Sequence, residues 1–73
     1  MTDKEWNELW KYVEKRNVLV KVLDYFGNCY KNVFEVGDMR FCKNGNILCG
    51  YCLEVLIENR TPAQMKAIID NLL

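Results

Sequence analysis

Apolar residues recur along this chain with two different periods, and the switches between them mark its elements. Trp6, Leu9, Trp10 and Val13 stand at i, i+3, i+4 and i+7, which places one apolar stripe on a helix. Thr2-Asp3-Lys4-Glu5 just before the stripe reads as a capping box, with Thr2 as N-cap and Glu5 reaching back to it. Lys15 and Arg16 suit the negative end of the helix dipole, and Asn17 is a stop signal. A helix over about residues 3–16 is predicted. The same stripe returns near the other end as Met65, Ile68, Ile69 and Leu72. It follows a second capping box, Thr61-Pro62-Ala63-Gln64, with proline at N1 where its missing N–H costs nothing.

Between the helices the period falls to two. Val18 to Phe26 is β-branched and aromatic, with Val18, Val20 and Val22 on one side and Leu19, Lys21, Leu23 and Tyr25 on the other. Gly27-Asn28 is a turn signal; as a two-residue hairpin it sets Asp24 opposite Lys31 and Tyr25 opposite Tyr30, both favourable pairs. A second strand covers Cys29 to Val36. Gly37-Asp38 is either a second tight turn or a bulge within one long strand. Asn44-Gly45 is the strongest hairpin signal in the chain; a type I′ turn there pairs Arg40 with Cys49, Phe41 with Leu48 and Cys42 with Ile47. Ile47 to Ile57 is the longest apolar run and reads as one strand with a bend at Gly50.

The expected fold is therefore a single α+β domain over residues 1–73: an N-terminal helix, an antiparallel meander of three or four strands and a C-terminal helix. Both helices are expected on one face of the sheet. The other face then exposes Leu19, Leu23 and Tyr25, or the row Cys49, Tyr51, Leu53, Val55 and Ile57, depending on register.

Composition sharpens that expectation. At 73 residues and 51% hydrophobic, the chain is small for its apolar content, so some of that content is left on the surface. Leu19, Leu23, Tyr25, Tyr51, Leu53 and Val55 are the residues expected to meet a partner, and a homo-oligomer is the expected state. Ten basic and ten acidic residues cancel, which argues against binding driven by nucleic-acid phosphates. Thr2 to Arg16 is charged throughout, with no apolar leader, and no run is long enough to cross a bilayer. A cytoplasmic protein with reduced thiols and no membrane partner is expected.

The chain has neither histidine nor serine, which removes Ser-His and Cys-His pairs, histidine bases and every histidine-containing metal site. No enzymatic activity and no cofactor are expected. Cys49-Gly50-Tyr51-Cys52 is a CxxC, and Cys29 and Cys42 would complete a four-thiolate zinc set. In a continuous strand, however, Cys49 and Cys52 point to opposite faces, so a shared metal requires Gly50-Tyr51 to form a knuckle. Packing in the core is the reading favoured for all four cysteines. Asp24, Glu35, Asp38, Glu54 and Glu58 fall at strand ends and read as solvated edge charges.

Lys11, Lys15, Arg16 and Lys21 form a basic cluster near the first helix–strand junction. With it, the α-β-β-β-α order resembles that of double-stranded RNA-binding domains, and the resemblance implies an RNA partner. The start of the second helix departs from that family's lysine cluster and reads Thr61-Pro62-Ala63-Gln64-Met65-Lys66. The expectation placed first is a small protein-binding module, in its most concrete form a stoichiometric inhibitor of a host or defence protein of the kind phages encode. Its richness in asparagine, lysine, isoleucine and tyrosine fits an AT-rich bacterial or phage genome. A nucleic-acid- or nucleotide-binding module and a zinc-stabilised adaptor are the alternatives.

Overall fold

In the computed structural model, which describes residues 1–73, two helices flank a five-stranded antiparallel sheet. Helix α1 (Asp3–Lys15) is followed by β1 (Val20–Leu23), β2 (Cys29–Val36), β3 (Met39–Cys42), β4 (Ile47–Cys49), β5 (Val55–Ile57) and helix α2 (Pro62–Leu72). The strands lie side by side in chain order, a meander with β1 and β5 as its edges.

Both helices begin as the sequence predicts. Thr2 Oγ1 accepts the Glu5 N–H while Glu5 accepts the Thr2 N–H, and Thr61 and Gln64 repeat the exchange at α2. Asn17 takes φ +57, the left-handed conformation that commonly follows a helix. Trp6, Leu9 and Val13 of α1 and Met65 and Ile69 of α2 are buried against Phe34, Val36, Phe41 and Ile47 of the sheet. Phe34 pairs with Phe41, and Phe41 with Ile47, so these sheet residues share a face and both helices cover it. Across the helix pair, Asp70 accepts from Tyr12 Oη at 2.8 Å and Arg16 Nη1 at 2.6 Å.

The sheet has five strands rather than three or four, for two reasons. Gly37-Asp38 forms a tight turn between Val36 and Met39, with Gly37 alone at positive φ (+58), as a type II′ turn requires. The run Ile47 to Ile57 is not one strand: the chain leaves the sheet after Cys49 and re-enters at Val55. That excursion closes with the Leu53 N–H on the Cys49 carbonyl at 3.0 Å and the Cys49 N–H on the Glu54 carbonyl at 2.8 Å.

Two hairpins differ from the expected register by the same device. The β3–β4 loop has three residues, with the Cys42 N–H on the Asn46 carbonyl, so Phe41 faces Ile47 and Arg40 faces Leu48. Asn44 keeps negative φ and uses its side-chain oxygen to accept the Asn46 N–H at 3.0 Å; only Gly45 is left-handed. A one-residue slip exchanges the two faces, and this register is the one that buries Ile47. In the β1–β2 hairpin, Leu23 pairs with Cys29 and the Asp24 N–H meets the Asn28 carbonyl, which leaves Tyr25, Phe26 and Gly27 as the loop. Asp24 and Tyr25 are therefore not opposite Lys31 and Tyr30.

The face away from the helices carries Val20, Val33, Glu35, Arg40, Cys42, Leu48 and Val55, by the pairings Val20–Glu35–Arg40–Leu48–Val55 and Val33–Cys42. Of the two expected rows, only Val55 lies on it. The Glu35–Arg40 ion pair, at 3.2 Å, sits at its centre.

Gly45 tests the turn assignment. Its φ is +98, and a Cβ there would lie 3.1 Å from the Arg60 carbonyl oxygen, whose own N–H bonds the Gly45 carbonyl. Gly45→Val is expected to cost about 1–3 kcal/mol of stability, measured by urea denaturation. A near-neutral result would contradict the assignment.

Candidate functional site

Aspartate followed by two aromatics, glycine and asparagine builds the most exposed apolar feature of the molecule. Asp24 Oδ1 accepts the N–H groups of Phe26 at 2.8 Å and Asn28 at 2.9 Å, while its carbonyl accepts the Gly27 N–H at 3.1 Å. Gly27 supplies the left-handed residue, φ +85, that turns the chain back. With the backbone closed on itself, the Tyr25 and Phe26 side chains have no interior to enter. They are 97% and 83% exposed and pack edge to face on each other, ring centroids 5.5 Å apart. The hydrogen bonds from Asn28 and Phe26 hold the Asp24 carboxyl below its usual range.

Leu23, Val20 and Tyr30, each about half exposed, continue this apolar surface along the β1–β2 hairpin. The opposite edge of the sheet carries a second exposed group, Tyr51, Leu53, Val55 and Leu56. There the Tyr51 hydroxyl donates to Asp38 at 2.8 Å, and the Asp38 carboxylate raises the phenol above its usual value.

The six residues expected to meet a partner are thus divided. Leu23 and Tyr25 lie at the β1 edge, Tyr51, Leu53 and Val55 at the β5 edge, and Leu19 packs against the core. Phe26 and Tyr30 belong to the β1–β2 surface and were missed by the strand reading. The clue was Asp24 two residues before Phe26, an Asx-turn signal.

The basic cluster is also divided. Arg16 is committed to Asp70 and Tyr12, whereas Lys11 and Lys15 lie on the exposed side of α1. Lys21 pairs with Phe34 on the helix-covered face and lies beside Trp10, Glu14 and Lys31. Lys66 stands over the Tyr12 ring at 4.6 Å.

The four cysteines do not converge: no three of the histidine, cysteine, aspartate and glutamate side chains form a metal-sized group. All four are free thiols, Cys52 exposed and the others half-buried, so none lies in the closed core where the sequence reading put them. Burial raises the Cys42 thiol, with Arg40 opposing. Cys49 is different. The neighbouring Cys52 and Tyr51 backbone amides, with the Cys52 thiol, favour its thiolate and lower its pKa.

No helix is long and apolar enough to cross a membrane. Comparison with protein-family models, with curated proteins and with solved structures returns no match.

The Asp24 turn has a definite pH dependence. Its folded pKa is depressed, so its contribution is complete above the ordinary value of 3.8 and is lost as pH falls through the lower folded value. Hydrogen-exchange protection of the Phe26 and Asn28 amides is expected to fall in that acidic window. Asp24→Asn, which retains one acceptor oxygen without the charge, is expected to flatten the response. Protection that ignores pH in the parent protein would contradict the turn account.

Proposed function

We propose that this chain is a non-enzymatic protein-binding module that seizes its target with the Tyr25–Phe26 tip of the β1–β2 hairpin. The observation that carries the proposal is the near-complete exposure of two adjacent aromatic rings on a turn closed by Asp24. Large aromatic side chains dominate interface energetics when they fill a partner's pocket. A turn already closed by its own hydrogen bonds spends less ordering entropy on docking. The tip is convex, so the complementary surface is a concave apolar pocket.

In its most concrete form the module is a stoichiometric inhibitor that occupies a cleft of a host or defence protein, in the manner of phage-encoded inhibitors. A plug into a cleft needs no chemistry of its own, in keeping with a chain without histidine or serine. Self-association belongs to the same proposal. The uncovered sheet face, with Val20, Val33, Leu48 and Val55 around the Glu35–Arg40 pair, is the surface on which two copies meet. The nucleic-acid alternative has less support, because Arg16 is already engaged with Asp70.

The test uses the parent protein and the double variant Tyr25→Ala/Phe26→Ala as parallel baits. A protein retained by the parent and lost by the variant is then purified and titrated against both by calorimetry. A 1:1 complex is expected, with each aromatic contributing at least about 2 kcal/mol to affinity, and with the variant's melting temperature unchanged. Equal affinity for parent and variant would overturn the proposed site. Native mass spectrometry of the free chain is expected to show a dimer.

A further inference from the structure

Antiparallel pairing runs one row of side chains straight across the uncovered face of the sheet: Val20, Glu35, Arg40 and Leu48, with Val55 beyond them. A shorter row beside it holds Val33 and Cys42. Along the first row the order is apolar, acidic, basic, apolar. The charges are opposite in sign about the line between β2 and β3, and the apolar residues match about that same line. Glu35 and Arg40 lie 3.2 Å apart, with side chains only 24% and 23% exposed, and each makes its only ion pair with the other. Val20 and Val55 at the ends of the row are about half exposed.

We propose, on the premise that the chain self-associates through this face, that two copies stack about a two-fold axis parallel to the strands and midway between β2 and β3. Sheets packed face to face lie about 10 Å apart with their strands nearly aligned. The rotation sets β2 of one copy over β3 of the other. Glu35 then meets the partner's Arg40, Val20 the partner's Leu48 and Val33 the partner's Cys42, and each contact occurs twice. An axis running across the strands would instead set β2 on β2 and β3 on β3. Glu35 would then face Glu35 and Arg40 would face Arg40, a repulsive arrangement. The charge pair thus selects the axis, while the apolar residues supply the buried area. The axis also orients the hairpin tips. Rotation about the strand direction leaves each end of the sheet at its own end, so the Tyr25–Phe26 tips of both copies project from the same end of the dimer. Two aromatic tips aimed the same way suit a target that presents its apolar pocket twice, as a symmetric oligomer does.

The test uses the full, reduced chain. Isotope-filtered NOE spectroscopy on a mixture of ¹³C-labelled and unlabelled parent chains is expected to show contacts between Val20 and Leu48 methyl groups of different copies. Within one chain these two residues are separated by β2 and β3, so the contact reports the dimer alone. Glu35→Arg and Arg40→Glu are each expected to raise the dimer dissociation constant at least about tenfold by sedimentation, because each turns an attraction across the axis into a repulsion. Their equimolar mixture is expected to recover a heterodimer, and far-UV dichroism establishes that both variants are folded. A monomeric parent would overturn the axis together with the self-association on which it rests. A dimer with Val20–Val20 contacts between copies, or one indifferent to either charge reversal, would overturn the axis and leave self-association standing.

Discussion

Everything in this molecule leans on Phe34. Its ring stacks on Trp6 at 5.1 Å and on Phe41 at 5.5 Å, and meets the edge of Trp10 at 5.6 Å. That column joins helix α1 to two central strands through contacts that bury large aromatic area in favourable offset and edge geometries. Trp6 also donates its indole N–H to the Lys31 carbonyl at 2.7 Å, so the helix is pinned to β2 by a bond as well as by packing. The column determines which face of the sheet is inside. With Phe34, Phe41 and Ile47 in one line, Glu35, Arg40 and Leu48 must face outward.

A sheet covered on one face only has consequences at its margins. Nine buried apolar residues make up the core, so a chain this rich in apolar residues leaves many on the surface. They gather at the two edges of the meander, where β1 and β5 are short and their loops project. The aromatic hairpin tip at one edge and the sulfur-bearing turn at the other are built alike. In each, polar backbone groups are satisfied locally, by the Asp24 carboxylate or by the Cys49 carbonyl, so that side chains are released outward.

How much of this could be read beforehand depends on the kind of signal. Helix starts were legible because a capping box is local chemistry; Thr2 with Glu5 and Thr61 with Gln64 need nothing else in the protein. Turn positions were legible as well, since Gly27, Gly37 and Gly45 all adopt the positive φ that glycine permits. Loop lengths were not. Asp24 and Asn44 each recruit an N–H two residues on and lengthen the loop to three residues, and at Asn44 the resulting register is the one that buries Ile47. The run from Ile47 to Ile57 misled the strand reading because β-propensity records how a residue fits a half-buried surface. It carries no information on where the partner strand ends. The candidate site followed the same division: Tyr25 was identifiable as exposed and apolar, while its pairing with Phe26 emerged only once Asp24 had closed the turn.

The central claim is that the hairpin tip is rigid before it meets any partner, and backbone ¹⁵N relaxation at Tyr25, Phe26 and Gly27 tests it most directly. Order parameters close to about 0.85, equal to those of β2 and β3, are what the closed Asp24 turn predicts. Values below about 0.6 confined to these three residues would mean that the rings are carried on a flexible loop, and would contradict the account.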